Sequence, residues 1–253
     1  MIAVLLLAAA AASEAPICAD RPSKANGTCT VPAGHVQVET GLIDWTHDRS
    51  GGERTDVVLW GSTFVKYGIG ESSDLELGVT PFETVRVRGA DHATLSGVGD
   101  AVVRWKQRLS AADAPVQVAL IPFAKLPTAS HNLGNGKVEG GIAVPLNTAV
   151  AKAVTLTIGP ELDLRADADG YGYHAAMVQL VNLGWQATSK FALGAELWGQ
   201  WDWDQRGTRR QASADVSAAL LLADDLQLDG GMNFGLNRQT SDLEVYAGIS
   251  RRF

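Results

Sequence analysis

From His35 to the last residue, apolar and polar side chains take turns in short runs bounded by Gly, Asp, Asn and Pro. A period of two marks β-strands with unlike faces, because successive side chains on a strand point to opposite sides. About twelve such runs are predicted. They cover His35–Trp45, Thr55–Tyr67, Asp74–Thr80, Asp100–Leu109, Val116–Leu126, Lys137–Leu146, Val154–Arg165, Tyr173–Leu183 and Phe191–Trp201. A tenth surrounds Gln211–Ala218, an eleventh Gln227–Phe234, and the last ends at Phe253. The tenth alternates well: Ala212, Ala214, Val216 and Ala218 oppose Gln211, Ser213, Asp215 and Ser217. The eighth is the least regular, since Ala175–Val181 is nearly all apolar.

The alternation runs to the very end of the chain. Val245, Ala247, Ile249 and Phe253 share one face; Glu244, Tyr246, Gly248, Ser250 and Arg252 share the other. A free terminus ordinarily frays and is polar. A strand that closes a membrane barrel needs lipid on one side and a polar lumen on the other. The terminal aromatic after alternating apolar residues also resembles the signal read by the outer-membrane assembly machinery. Arg251 departs from the pattern, which a headgroup position tolerates at a cost of roughly 0–1 kcal/mol.

The polar faces carry Glu39, Lys66, Glu76, Asp100, Arg104, Lys106, Arg108, Lys125, Glu139, Glu161, Asp163, Glu196, Asp215, Asp229 and Glu244. A water-soluble core could not hold so many charges, each costly unless well paired. An apolar core inside a twelve-stranded cylinder fails too, because the cylinder is too wide for its wall side chains to fill. Apolar outside and polar inside resolves both. The predicted fold is therefore all-β: a transmembrane, antiparallel, up-and-down β-barrel of about 12 strands, with those charges as lumen-lining candidates. Turns after even strands are short (GIGESS, SAADAP, NTAVAKA), and those after odd strands are longer (FETVRVRGADHATLSGVG, RADADGYG). That asymmetry puts both termini on the periplasmic side. Trp45, Trp60, Trp185, Trp201 and Trp203 fall near strand ends, where aromatic girdles sit, whereas Trp105 and Trp198 fall mid-strand.

The start, MIAVLLLAAAAASEAP, reads as a signal peptide cleaved near Ala12 or Ser13, although no Lys or Arg precedes the apolar run. The run is too short to span as a helix, which takes about 20 residues. The expected organisation is a signal peptide over residues 1–13, a periplasmic N-terminal segment over 14–33, and the barrel over 34–253. Cys18 and Cys29 are expected to pair in an oxidising compartment. They lack the partners for a metal site. A net charge of −7 with no Lys/Arg-rich run gives no nucleic-acid footprint.

Several stretches resemble one family in order and spacing. Asp20–Trp45 (DRPSKANGTCTVPAGHVQVETGLIDW) is similar to the N-terminal signature of an outer-membrane transporter-like family named for the meta pathway of phenol degradation. Tyr67–Val79, Ser96–Leu109, Val118–Ser130 and Asn237–Phe253 resemble its later strands and its last hairpin. The resemblance implies an outer-membrane barrel and a channel for small molecules; the family's name establishes no substrate.

Catalytic chemistry has little support. His35, His47, His92, His131 and His174 are scattered, and only Ser130 beside His131 hints at a hydrolase pair. The runs GVGD and GNGKVEGG lack the Gly-Lys-Ser/Thr ending of a phosphate loop and read as turns. Arg104, Lys106 and Arg108, with Lys125 on the next strand, form a predicted basic ladder facing acidic residues across the lumen. Such a ladder either sets a field for permeating solutes or simply pairs and plugs the barrel. The functional expectation is a passive, non-enzymatic channel for small molecules, aromatic or hydrophobic ones among them. It needs no cofactor, and its partners are outer-membrane lipid, the assembly machinery and a small solute. A non-conducting plugged barrel and a membrane-embedded hydrolase stay open as rivals.

Overall fold

A computed structural model describes residues 15–90 and 92–253; the predicted signal peptide lies outside the described residues. The described residues form fifteen strand segments: β1 (Val36–Ser50), β2 (Glu53–Gly70), β3 (Ser73–Val79), β4 (Phe82–Arg88), β5 (His92–Gly97), β6 (Ala101–Arg108), β7 (Val116–Leu126), β8 (Glu139–Ala143), β9 (Leu146–Ala151), β10 (Val154–Ala166), β11 (Tyr173–Gln186), β12 (Phe191–Asp204), β13 (Gly207–Ala223), β14 (Leu226–Gly235) and β15 (Leu243–Arg252). Every strand pairs antiparallel with its neighbours, and β1 pairs with both β2 and β15, so the sheet closes.

The fifteen segments make twelve staves, because three staves are interrupted. β3 and β4 both run along β2, β5 and β6 follow them, and β8 and β9 both lie between β7 and β10. Pro81 and Pro145 sit in two of the breaks, where a residue without an N–H cannot continue the ladder. The closed twelve-strand antiparallel barrel is the fold expected from the alternation.

Two stretches expected as connections are strands. Phe82–Gly97 is not an outer loop. Phe82–Arg88 resumes the ladder on β2 beyond Pro81, and β5 pairs back on it. Leu146–Ala151 is likewise strand, leaving Lys152–Ala153 as the turn. The first hairpin also runs past its predicted end at Trp45, because Gly51 and Gly52 have φ of 61° and 85° and supply a tight two-residue turn.

A bulge between Gly41 and Ile43 shifts the alternation of β1. Leu42 and Ile43 both face outward, at 51% and 36% exposure, and Asp44 then points inward. On β11 both faces are apolar, which explains its weak sequence signal: Val178 and Leu180 are buried inside, whereas Val181 and Leu183 are exposed outside.

The burial pattern is inverted relative to a protein that folds around an oily core. Lys66, Lys106, Glu76 and Asp74 are among the most buried side chains, whereas Leu162, Leu197 and Val216 are exposed. Trp185, Trp201 and Trp203 are exposed near the ends of their strands, whereas Trp60, expected near an end, is exposed midway along β2 because that strand runs on from Glu53 to Gly70. Trp105 also belongs to a strand end, since its indole N–H donates to Ser73 at the start of β3 (2.7 Å). Trp198 alone of these points inward.

Strand β13 offers a direct test of the two faces. Val216 is on the outer surface and Ser217, opposite Gly194 on β12, faces in. Val216→Arg is expected to destabilise the barrel by about 2–4 kcal/mol if it lies near a bilayer midplane. Ser217→Arg should cost far less. Urea unfolding in lipid vesicles, followed by loss of the heat-modifiable gel band, measures both; equal costs would refute the register.

Candidate functional site

The segment ahead of β1 does not hang free of the barrel. It enters at the end of the barrel where β15 finishes, where the Ile17 amide donates to the Asp224 carbonyl between β13 and β14 (2.7 Å). It leaves beside β2, where the Gly34 amide donates to the Gly68 carbonyl (2.8 Å). A disulfide joins Cys18 to Cys29, so the two limbs of the loop are clamped at its neck. Between them the chain lies against the inward side chains of the wall.

Charge decides how it sits there. Asp20 accepts from Lys106 Nζ (2.7 and 2.8 Å) and is ion-paired with Lys66. Lys66 also meets Glu39 (2.6 Å) and Glu76 (3.7 Å), and Lys106 meets Glu76 (3.5 Å). The backbone amides of Asp20 and Arg21 donate to the Glu39 carboxylate (3.1 and 3.2 Å). Arg21 reaches Asp229 (2.9 Å) and lies over the Tyr246 ring. Lys24 donates to Asp215 and Ser213 (2.9 Å each) and lies over Trp198. The Lys24 and Ala25 amides donate to Glu196 (3.3 and 3.1 Å), Arg104 donates to Asn26 (3.2 Å), and the Val31 amide donates to Asp74 (2.8 Å). Gly248 leaves room for the Arg21 guanidinium; a Cβ there would collide with it.

Wall and segment thus satisfy one another. A buried carboxylate is tolerable only when paired and hydrogen-bonded. Burial alone would raise the pKa of Asp20, but Lys106 and Lys66 outweigh it and hold the carboxyl well below the usual range.

Among the lumen-lining candidates, Glu39, Lys66, Glu76 and Lys106 form this buried cluster, and Glu196, Asp215 and Asp229 anchor the segment from the opposite wall. The basic ladder is divided. Lys106 is neutralised beneath the segment, and Arg108 donates to the Glu71 carbonyl at the rim (3.0 Å). Arg104 stacks on Phe64 (4.1 Å) and, like Lys125, faces an open space. Lys125 is paired with Asp100 (2.8 Å) and Glu139 (3.3 Å). Glu161 lines the same space, and Glu244 accepts from Asn233 (2.6 Å). Val245, Ala247 and Ile249 alternate with the inward Glu244 and Tyr246, and Phe253 is exposed beside Arg251.

The open space is a cavity of about 670 Å³ above the segment. Phe64, Ile121, Phe123, Val178, Leu180 and Trp198 give it apolar wall; Arg104, Lys125, Glu139, Glu161, Asp163 and Arg165 give it charge. On β7 and β10 the apolar or small residues lie nearer the segment and the charges nearer the far end. Ile121 and Phe123 precede Lys125, and Gly159 precedes Glu161, Asp163 and Arg165. At that far mouth His174 is held by Asp167 (2.8 Å) and Asp202 (2.6 Å), with Asp204 close by. Both imidazole nitrogens are therefore engaged. The serine of the hydrolase alternative, Ser130, is hydrogen-bonded by the Val98 amide (3.1 Å).

Asp20, Arg21, Lys24 and Asn26 escaped the strand reading because they precede the first strand. Their only signal is a density of charge in a stretch with no period of its own. Trp198 was readable, since it shares parity with Glu196 and Gln200.

Asp20→Asn is expected to weaken docking of the segment by roughly 3–5 kcal/mol, because it leaves two buried lysines short of a partner. Trypsin should then cut after Lys24 in the folded barrel. The wild-type contact should persist under mild acid. A carboxyl with a depressed pKa stabilises fully above its free value of about 3.9 and is lost only as pH falls further. Release of the segment at pH 6 would contradict the assignment.

Comparison with solved structures recovers the barrel. An outer membrane channel from Pseudomonas putida F1 superimposes with a TM-score of 0.69 at 13% identity, over 89% of this chain and 98% of that one. The NanC porin does so with 0.52 at 12% identity, over 85% and 98%. The beta domain of the Bordetella autotransporter BrkA gives 0.50 at 11%, over 87% and 100%. These likenesses are of fold. No curated protein matches the sequence. The family model described as "Putative MetA-pathway of phenol degradation" matches residues 19–253, from the plugging segment to the last strand, and the chain belongs to that family.

Proposed function

We propose that the protein is a passive outer-membrane channel of a Gram-negative bacterium. It admits small amphipathic molecules, aromatic or hydrophobic in part, from the outside. Both termini lie in the periplasm, and residues 17–33 plug the periplasmic mouth. The observation that carries this reading is the mixed cavity above the plug: Ile121, Phe123, Val178 and Leu180 give apolar wall with Arg104 and Glu161 set beside them, and Lys125 and Arg165 add charge nearer the opening. An apolar pocket with a few oriented polar groups suits a solute that has both characters. The inverted burial and the similarity to outer-membrane channels support the location. The chemistry is diffusion, selected by width and charge, with no enzymatic step.

The plugged-barrel alternative draws support from one observation, the number of ion pairs fastening the segment. Planar-bilayer recording separates the two readings. The wild type should pass small, noisy currents, and Asp20→Asn combined with Lys24→Met should raise the conductance several-fold. If both are silent, in reducing as well as oxidising buffer, the barrel is structural.

The last strand is proposed to address the barrel to the assembly machinery. Deleting Phe253 should leave less protein in the heat-modifiable, outer-membrane form. Unchanged assembly would remove that role.

A further inference from the structure

The outside of the barrel carries a feature that the lumen does not explain. Paired strands place opposite residues on the same face, so the register of β1, β2, β4 and β5 defines rows across the outer wall. Because Asp44 points into the lumen, Trp45, His47 and Arg49 point out. Their partners on β2, Val58, Asp56 and Arg54, point out with them, as do Thr84, Arg86 and Arg88 on β4. Ser96, Thr94 and His92 extend the rows onto β5. Successive rows lie about 7 Å apart along the strands.

Composition changes sharply along these rows. The lower ones hold Trp45, Trp60 and Phe82, the last two exposed on the outer surface. The two above hold Arg49, Arg54, Arg86, Arg88 and His92, all exposed, with His47 beneath them. Asp56 is the only acid in those rows, and it is buried under them. It accepts from Trp45 Nε1 (3.2 Å), His47 (2.8 Å), Arg54 Nε (3.2 Å) and Arg88 Nη1 (3.4 Å), and Arg49 donates to His47 (3.1 Å). One carboxylate therefore fixes the inner edges of two guanidinium groups, whose side chains stay 44% and 46% exposed.

We propose that this patch is a binding site for the phosphorylated headgroup of an anionic glycolipid in the outer leaflet. The inference rests on the outer-membrane location proposed above. Its chemistry follows from three features. Guanidinium groups bind phosphate in a forked, bidentate way that fixes orientation as well as charge. The patch stands directly over an aromatic row of the kind found at the level of lipid headgroups. It faces away from the lumen, where no permeating solute would meet it. A soluble anion would have no use for the aromatic row; a lipid uses both, seating its acyl chains against Trp60 and Phe82 and its phosphates among the arginines. Asp56 acts as a positioning residue that keeps the arginines splayed upward rather than collapsed on the wall.

The test uses the full chain, folded in a neutral detergent and titrated with diphosphorylated lipid A, monophosphorylated lipid A, phosphatidylcholine and inorganic phosphate. Saturable binding should be tightest for the diphosphorylated lipid, weaker by several-fold for the monophosphorylated one, and absent for phosphatidylcholine. Inorganic phosphate should bind only weakly. The affinity should fall as salt rises, because exposed charges are screened. Arg86→Glu touches none of the Asp56 bonds, so it should fold normally and weaken lipid binding at least tenfold. The combined R49Q, R54Q, R86Q and R88Q variant should abolish it. A control that removes charge at the opposite end, Lys152→Gln with Lys190→Gln, should bind as the wild type does. Unchanged affinity in heat-modifiable Arg86→Glu protein would overturn the proposal. So would phosphate binding as tightly as the lipid, which would make this an anion site, and so would the absence of saturable lipid binding. None of these outcomes bears on conductance, so the lipid site can fail while the channel reading stands.

Discussion

The structure turns on how charge is kept inside a closed sheet. Lys66, Lys106, Glu39 and Glu76 come from four neighbouring strands, β2, β6, β1 and β3, and all four are buried. Two lysines against two wall glutamates would already balance, but the geometry is uneven. Glu76 is reached only at 3.5 Å or more, whereas Asp20 of the incoming segment is in direct contact with both lysines. The segment is thus part of the electrostatics of the wall rather than an ornament within it. Breaking a buried pair costs more than the pair itself contributes, because the abandoned charge keeps its desolvation penalty. That asymmetry holds the plug in place and explains why the opposite wall presents Glu196, Asp215 and Asp229 to a stretch containing Arg21 and Lys24.

The same inversion governs what could be read from the chain. Faces were legible wherever one was polar and the other apolar, as at Gln211–Ala218 or Glu244–Phe253, since a period of two needs only contrast. Where contrast fails, so does the reading. Val178 and Leu180 line the cavity, yet they sit in a run that is apolar on both sides. Boundaries failed for a different reason. Pro81 and the Val144-Pro145 pair look like the ends of strands, but the neighbouring staves carry the ladder past them. A proline in a closed barrel interrupts its own bonds and leaves the partner strands to continue. The β1 bulge is equally silent in sequence: Leu42 and Ile43 side by side simply look like a stretch where alternation pauses.

The least legible part was the segment held against the inner wall. Residues 17–33 have no strand period, and their order comes from bonds to residues far along the chain. Nothing in Asp20 or Lys24 alone indicates Lys106 or Asp215 as partners. The outer basic rows were obscured by the same break at Pro81, since Arg86 and Arg88 read as loop charges until β4 is seen to pair with β2.

Those partnerships also impose an order on how the molecule is made. Asp20 binds a residue 46 positions away and another 86 away; Lys24 binds one 191 away, and Arg21 one 208 away. Local pairing between neighbouring strands can form as soon as each hairpin exists, but contacts of such long range come late because a large loop must close first. The segment ahead of the first strand, the earliest part of the barrel to leave the ribosome, is therefore among the last to settle. It cannot find its seat until β2, β6, β13 and β14 stand around one axis. A chain with a missing or misregistered stave offers it an incomplete set of charges and leaves it dangling, so the seated segment is a mark borne only by finished barrels.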